Sequence, residues 1–253
     1  MTTVFELRNL YKAFGTNVIY EDMNLKIEQG ETFTIIGGSG MGKSVCLKLM
    51  IGLLPYEGGH VLFKGKEVGD MNREELRELR RNVSMVFQGG AMFDSMSVLD
   101  NVTYALREHT KMTDDQMLER AKECLDMVGL GYDKGILYRM PASLSGGMRK
   151  RAALARSIAI KPEVILYDEP TTGLDPANIE RIGSMIQKLQ KELNVTSIVV
   201  THDMPIALKR SDRVAMLYEK KFPFVGTNVE FQHHPETVVR EFIEGIYHEN
   251  EDD

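Results

Sequence analysis

Tryptophan is absent from the 253 residues, cysteine occurs only twice and proline eight times. Cys46 and Cys124 lie far apart, each inside an apolar-periodic stretch. That leaves no disulfide scaffold and no cysteine metal cluster, and both residues are expected to be reduced core thiols. No charge-free apolar run approaches the roughly 18 residues of a membrane span. The opening MTTVFELRNLYKAFG also lacks the basic-then-apolar order of a signal peptide, so the chain is expected to stay in the cytosol. Basic charge is scarce: Lys plus Arg is 31 against 37 for Asp plus Glu, a net charge of −6. General nucleic-acid binding is thereby excluded as the main role. What remains is ordinary globular usage, 43% hydrophobic and 27% charged, which excludes whole-chain disorder. The length suits one domain with an inserted part, or two domains. The 16 methionines read as adaptable core filler.

Alternation in Val4–Leu10 and in Met23, Leu25 and Ile27 predicts a β-rich start, and Gln29-Gly30 then turns the chain into a strand at Thr32–Ile36. The glycine cluster Gly37–Gly42 leads into Lys43–Ile51, a mostly buried helix by its apolar content. A hairpin follows, Val61–Phe63 and Glu67-Val68 around Gly65. Next come a helix from Asn72 with Glu75 as capping-box partner, and a buried strand at Val83–Phe87. Ser97 to about Val128 is helical, with a restart at Thr113 and a stop at Gly129. The rest alternates: a helix from about Met148 to Ile160, a strand at Val164–Tyr167, and a helix with Asp175 as N-cap and Pro176 first. Strands at Thr196–Thr201 and Arg213–Tyr218 follow, then a one-sided apolar helix from Pro235 to Ile246. The class is α/β, with a mainly parallel sheet covered on both faces.

Gly37-Gly38-Ser39-Gly40-Met41-Gly42-Lys43-Ser44 fits the phosphate loop G-x-x-x-x-G-K-S/T, between a strand and a helix. Glycines let backbone N–H groups converge on phosphates, and the helix start adds about half a positive charge. Lys43 is expected to reach the β and γ phosphates, Ser44 to ligate Mg²⁺, and Val45 to continue the cradle. Asp168 and Glu169 end an apolar strand, where open α/β sheets bind ligands. Beside a phosphate loop, Asp168 suits a metal site and Glu169 a general base for the attacking water. Leu144-Ser145-Gly146-Gly147-Met148, ahead of a helix rich in Arg and Ala, is a second anion-binding loop by the same logic.

Together these motifs resemble the nucleotide-binding subunit of an ABC transporter, over almost the whole chain. The resemblance implies a phosphate-loop NTPase with a RecA-like core (about 1–88 and 156–228) and an N-terminal antiparallel β layer. It also implies an inserted helical subdomain (about 89–155) and a C-terminal helical extension (about 229–253), all one ATPase domain. Phe14 in Lys-Ala-Phe-Gly matches the aromatic that stacks on adenine, and Gln88 the glutamine contacting Mg²⁺ and water. Asp175 after Leu174 matches the D-loop, and His202 the switch histidine sensing the γ-phosphate. Ser145, Gly146 and Gly147 match the signature loop, which binds the γ-phosphate held by the other subunit of a head-to-tail homodimer. Met148 stands where the family usually has glutamine, and Tyr167 before Asp168 is a mild departure. Singly each match is weak, and their order and spacing decide. ATP and Mg²⁺ are the implied cofactors.

The run Phe87-Gln88-Gly89-Gly90-Ala91-Met92-Phe93-Asp94-Ser95-Met96-Ser97-Val98, continuing to Leu106-Arg107-Glu108-His109, is similar to the Mla-type phospholipid-transport ATPases that serve MCE proteins. So are the helix after Leu144 and the tail Val239–Ile246. This narrower similarity implies phospholipid movement between membranes, with an integral membrane permease, an MCE-type lipid-binding protein and a small STAS-type accessory subunit as partners. The chain would sit on the cytoplasmic face of the inner membrane. Met92, Phe93 and Met96 are expected to be exposed anchors for the permease. Another ABC cargo, a permease-free ABC ATPase and a regulatory module without turnover are the other readings.

Overall fold

In the computed structural model, which describes residues 2–131, 133 and 135–245, the opening alternation becomes a long hairpin. Strands β1 (Thr3–Phe14) and β2 (Asn17–Glu28) pair antiparallel, with Phe5 opposite Ile27 and Leu7 opposite Leu25. Met23, Leu25 and Ile27 are buried while Asn24 and Lys26 point outward, as a period of two requires. The described residues form two compact units, one within 1–70 and 200–253, the other within 71–199.

The first unit continues through β3 (Thr32–Gly37), α1 (Lys43–Met50), β4 (Gly58–Phe63) and β5 (Lys66–Glu67). A four-stranded antiparallel sheet runs in the order β2-β1-β4-β5. Val68, expected in the hairpin, opens a 3-10 turn at Val68–Asp70 instead. β3 is buried along its whole length, the mark of a strand covered on both faces.

The second unit begins with α2 (Arg73–Asn82), whose Asn72–Glu75 capping box is present as expected. The strand after it, β6 (Val83–Val86), stops one residue short of Phe87. The long helical stretch is two helices, α3 (Val98–His109) and α4 (Asp114–Met127), the latter opened by the Thr113–Gln116 capping box. Then come α5 (Gly146–Ala159), β7 (Val164–Asp168) and α6 (Pro176–Leu193). β6 and β7 pair in parallel. Helix α5 starts two residues earlier than expected. Ser145 caps it by accepting the Met148 N–H at 3.3 Å, so two poor helix formers, Gly146 and Gly147, occupy the first turn. Arg120 of α4, buried, donates to the Ala159 and Ile158 carbonyls at 3.0 and 2.8 Å, satisfying the far end of α5.

Strand β8 (Thr196–Thr201) carries the chain back into the first unit, followed by α7 (Met204–Arg210) and β9 (Arg213–Tyr218). β9 lies parallel to β3, with Leu217 opposite Gly37. An unanticipated strand, β10 (Lys221–Thr227), pairs antiparallel with β9, and a short helix, α8 (Asn228–Gln232), follows. The last described helix is α9 (Thr237–Glu244). Its Val239 and Phe242 join Phe231, Phe224, Met216 and Ile36 in one buried cluster, so the apolar stripe of the tail packs inward. Ile246 and the acidic end lie outside the described residues.

Candidate nucleotide-binding and hydrolysis site

In the first unit the phosphate loop runs from the end of β3 to Gly42, the N-cap of α1. Two of its glycines are obligatory on different grounds. Gly37 approaches β9 so closely that a Cβ there would lie 2.7 Å from the Leu217 carbonyl oxygen. Gly42 has φ +95°, and its Cβ would lie 2.6 Å from the Ile19 methyl. Lys43 is buried, with its ammonium folded back over the loop, donating to the Gly37 and Gly38 carbonyls at 2.8 and 2.7 Å. Ser44 and Val45 occupy the first turn of α1, which carries no acidic residue, so the helix start is free to attract anions. A cavity of about 450 Å³ opens beside the loop, lined by Ile19, Gly38, Gly40, Met41, Tyr218 and Lys220.

Phe14, at the end of β1, is half-exposed and able to stack on a base. The Lys12 ammonium sits 4.5 Å from its ring centroid and pairs with Glu57 at 2.8 Å. His202 is exposed just past β8, and the following Asp203 N–H is held by Thr201 Oγ1 at 2.9 Å.

In the second unit Asp168 ends β7 buried and Glu169 follows half-buried, at φ +47°. A left-handed conformation at a non-glycine residue costs about 1–3 kcal/mol and persists only where the surroundings impose it. Here Thr172 donates to the Glu169 carboxylate from its hydroxyl and to the Glu169 carbonyl from its N–H, both at 3.3 Å. Lys150 of α5 donates to the Pro170 and Thr172 carbonyls at 2.9 and 2.6 Å. Burial lowers the pKa of the Lys150 amine, and the Glu169 charge acts in the opposite direction.

Gln88 is exposed past the end of β6, in a loop closed by the Gly90 N–H to Phe87 carbonyl bond of 2.8 Å. Arg156 of α5 fixes that loop, donating to the Ala91 and Gly90 carbonyls at 2.8 and 3.1 Å. Ser145 and Gly146 are exposed at the start of α5, and Gly147 faces Asn178, whose Oδ1 would lie 3.5 Å from a Cβ at Gly147. Asn178 in turn bonds Asp175, the N-cap of α6, through its side chain at 2.6 Å and its N–H at 3.1 Å. The first turns of α5 and α6 are therefore neighbours within one chain. Phe14, Gly37–Val45 and His202 belong to the first unit. Gln88, Ser145–Gly147, Asp168, Glu169 and Asp175 belong to the second.

One expectation fails. Met92 is buried, at 8% exposure, and Met96 is half-buried, so neither is an exposed anchor. Asn101, fully buried, explains this: it accepts from the Phe93 N–H and donates to the Phe93, Met96 and Ser97 carbonyls, pulling the loop down onto α3. Phe93 is exposed, its ring tilted against that of exposed Tyr104 with centroids 5.0 Å apart. Sequence reasoning gave no role to Lys150, Arg156 or Asn101. The partners that matter are main-chain N–H and C=O groups, which no residue type announces.

The thiols of Cys46 and Cys124 are buried, and burial pushes them up to about 12 and about 11, which keeps them out of metal and nucleophile chemistry. No group of three or more His, Cys, Asp and Glu able to hold a metal occurs among the described residues. Ser44 in the first unit, and Gln88 and Asp168 in the second, each offer an oxygen donor. That fits Mg²⁺, which retains waters and is completed by substrate phosphates.

A strand-loop-helix phosphate cradle and a strand-end Asp168–Glu169 pair define an α/β nucleotide-binding protein of the phosphate-loop class. The ABC transporter family model matches residues 20–172, and the chain belongs to that family. It is 39% identical over 242 residues to the intermembrane phospholipid transport system ATP-binding protein MlaF of Haemophilus influenzae, covering 96% of this chain and 90% of the relative. It is also 39% identical over 245 residues to the probable ribonucleotide transport ATP-binding protein mkl of Mycobacterium leprae, covering 97% and 70%. Among solved structures, a dimeric ATP-binding cassette in a post-hydrolysis state with ADP and Pi superposes with a TM-score of 0.80. That match has 31% identity and covers 88% of this chain and 98% of the other. As a member of the family the chain is an ATP-binding, ATP-hydrolysing transporter subunit. No helix among the described residues is long and apolar enough to cross a membrane.

Proposed function

We propose that this chain powers phospholipid transport between membranes, as the ATPase subunit of a complex with a membrane permease and an MCE-type lipid-binding protein. The observation that carries the cargo assignment is the 39% identity to MlaF over 96% of this chain and 90% of that relative, with no large unmatched segment on either side. The similarity to mkl favours a ribonucleotide as the second reading, but covers only 70% of that relative. The complex sits on the cytoplasmic face of the cell membrane, with a STAS-type accessory subunit as a further partner.

In this reading Phe14 stacks on adenine, and the N–H groups of Gly37–Val45 cradle the phosphates. Lys43 swings from the Gly37 and Gly38 carbonyls to the β and γ phosphate oxygens, an exchange of neutral acceptors for charged ones. Ser44, Asp168 and Gln88 hold Mg²⁺, which when bound neutralises charge on the phosphate oxygens. Glu169 takes a proton from water as the water oxygen bonds to the γ-phosphorus and the bond to the ADP oxygen breaks. His202 senses the γ-phosphate. Ser145, Gly146 and Gly147 of a second copy close the site, with Asp175 at the dimer seam.

Nucleotide binding and phosphate release are measured on Lys43→Ala and Glu169→Gln. The first is expected to lose ATP binding. The second is expected to bind ATP normally and turn over about 10²–10⁴-fold more slowly. Near-normal hydrolysis by Glu169→Gln removes the base assignment. For the cargo, the complex purified from membranes is scored for ATP-dependent lipid transfer between vesicles and for ribonucleotide uptake. Uptake without lipid transfer puts the second reading in place of the first.

A further inference from the structure

The turn that bears Glu169 is held from outside as well as from within. Thr172 reaches the Glu169 carbonyl and carboxylate at 3.3 Å each, and the Leu174 N–H reaches the Thr171 carbonyl at 3.1 Å. The shorter contacts come from Lys150, at 2.9 Å to the Pro170 carbonyl and 2.6 Å to that of Thr172. They are charge-assisted, the stronger kind of hydrogen bond. Lys150 is half-buried, and these bonds go to carbonyls rather than to a carboxylate partner. Its positive charge therefore remains available to the Glu169 carboxylate, with which it interacts through space. Lys150 also lies on α5, whose N-cap is Ser145 five residues earlier, little more than one helical turn.

We propose that Lys150 is the positioning residue of the hydrolytic turn, tying Pro170–Thr172, and through Thr172 the Glu169 carboxylate, to the helix that begins at Ser145. The proposal rests on the assignment of Glu169 as base, and it concerns a residue to which that assignment gives no role. It has a consequence for a dimer closed by Ser145 of each copy. Each α5 would then touch the γ-phosphate in one site while holding the Glu169 that acts in the other. Docking of Ser145 and alignment of Glu169 become one event, transmitted along a rigid turn of helix.

ATP hydrolysis, ATP binding and hydrogen exchange at the Thr172 and Leu174 amides are measured on the full chain and on Lys150→Met, Lys150→Gln and Lys150→Arg. Lys150→Met is expected to lower kcat about 10²-fold, the usual effect of a misplaced reacting group, with the ATP Kd within about 2-fold of the parent. Exchange at Thr172 should accelerate about 10-fold while α6 stays protected. Lys150→Arg, which keeps charge and donors, should recover kcat to within about 5-fold. Cooperativity in ATP should fall in Lys150→Met and return in Lys150→Arg. A kcat for Lys150→Met within about 2-fold of the parent overturns the proposal, as does a loss of kcat matched by an equal loss of ATP binding. If Lys150→Met does not fold, Lys150→Gln decides: parental kcat overturns the proposal, and a loss of about 10-fold at unchanged Kd supports it. Failure of the base assignment is read separately, from hydrolysis by Glu169→Gln, whereas unchanged Thr172 exchange in the Lys150 variants counts against Lys150 alone.

Discussion

The phenolic hydroxyl of Tyr20 on β2 donates a hydrogen bond to the carbonyl oxygen of Gly42, the last glycine of the phosphate loop. The antiparallel sheet thus holds the nucleotide cradle through one fully buried side chain. Burial pushes the Tyr20 phenol well above its ordinary pKa, so it remains a donor across the working pH range. The Gly42 carbonyl also accepts from the Val45 and Cys46 N–H groups at 2.7 and 3.3 Å, so it is not orphaned without the phenol. Tyr20→Phe is therefore expected to cost about 1 kcal/mol of stability and to weaken ATP binding several-fold. Gly42→Ala, with a left-handed φ and the Ile19 methyl in the way, should abolish binding. Denaturant midpoints and nucleotide titrations measure both, and parental ATP affinity in Tyr20→Phe would take the hydroxyl out of the loop's support.

Glu169→Gln with ATP and Mg²⁺ should form dimers that the nucleotide-free protein does not. Ser145 is exposed at the tip of α5 and caps it, so Ser145→Arg inserts a bulky cation where the γ-phosphate of a second copy would dock. The double variant should remain monomeric by light scattering. Dimers of equal abundance in both proteins would refute the composite site.

Phe93 on the loop after Gln88 and Tyr104 on α3 form the exposed aromatic pair, whereas Met92 is buried. Changing Phe93 and Tyr104 to Asp should shift stability by no more than about 1 kcal/mol and abolish co-purification with the permease. Met92→Asp should instead cost about 3 kcal/mol or more, because it buries a charge. Retained co-purification in the Phe93/Tyr104 variant would move the contact elsewhere.

The Asp175 carboxyl is held below its ordinary value of 3.8, first by the Asn178 side-chain amide and then by the Asn178 N–H. A depressed carboxylate stabilises the fold above its unfolded pKa, and the contribution is lost as pH falls through the folded one. Neutral pH therefore retains it and acid removes it. Asp175→Asn keeps an N-cap acceptor but cannot titrate, so its melting temperature should fall less steeply below about pH 4 than the parent's. Parallel acid limbs in the two proteins would rule out a role for this cap in the acid response.

Local chemistry made much of this molecule readable in advance. The capping boxes at Asn72 and Thr113, the Asp175-Pro176 start of α6 and the phosphate loop are each complete within a few residues, so spacing alone reveals them. β10 escaped because Pro223 and Gly226 break its alternation, and pairing with β9 rather than pattern makes it a strand. The early start of α5 was hidden by Gly146 and Gly147, whose poor propensity is overridden by the Ser145 cap. Met92 departs from the expected exposure for a related reason. Its burial is set by Asn101, a polar residue nine positions on that organises a loop through four bonds to main-chain atoms. Lys150 and Arg156 likewise reach carbonyls about 20 and 65 residues away, leaving no trace in the sequence pattern.

The depth at which both native thiols are held has a practical side. Maleimides and haloacetamides consume thiolate, which neither Cys46 nor Cys124 supplies near neutral pH. A single cysteine introduced at an exposed position, Glu108 or Ala142, would thus be the sole reactive handle on the chain. Fluorophores, spin labels and cross-linkers could then be attached to the wild-type background directly, and the approach of two cassettes followed by distance without first rebuilding the core around missing sulfur.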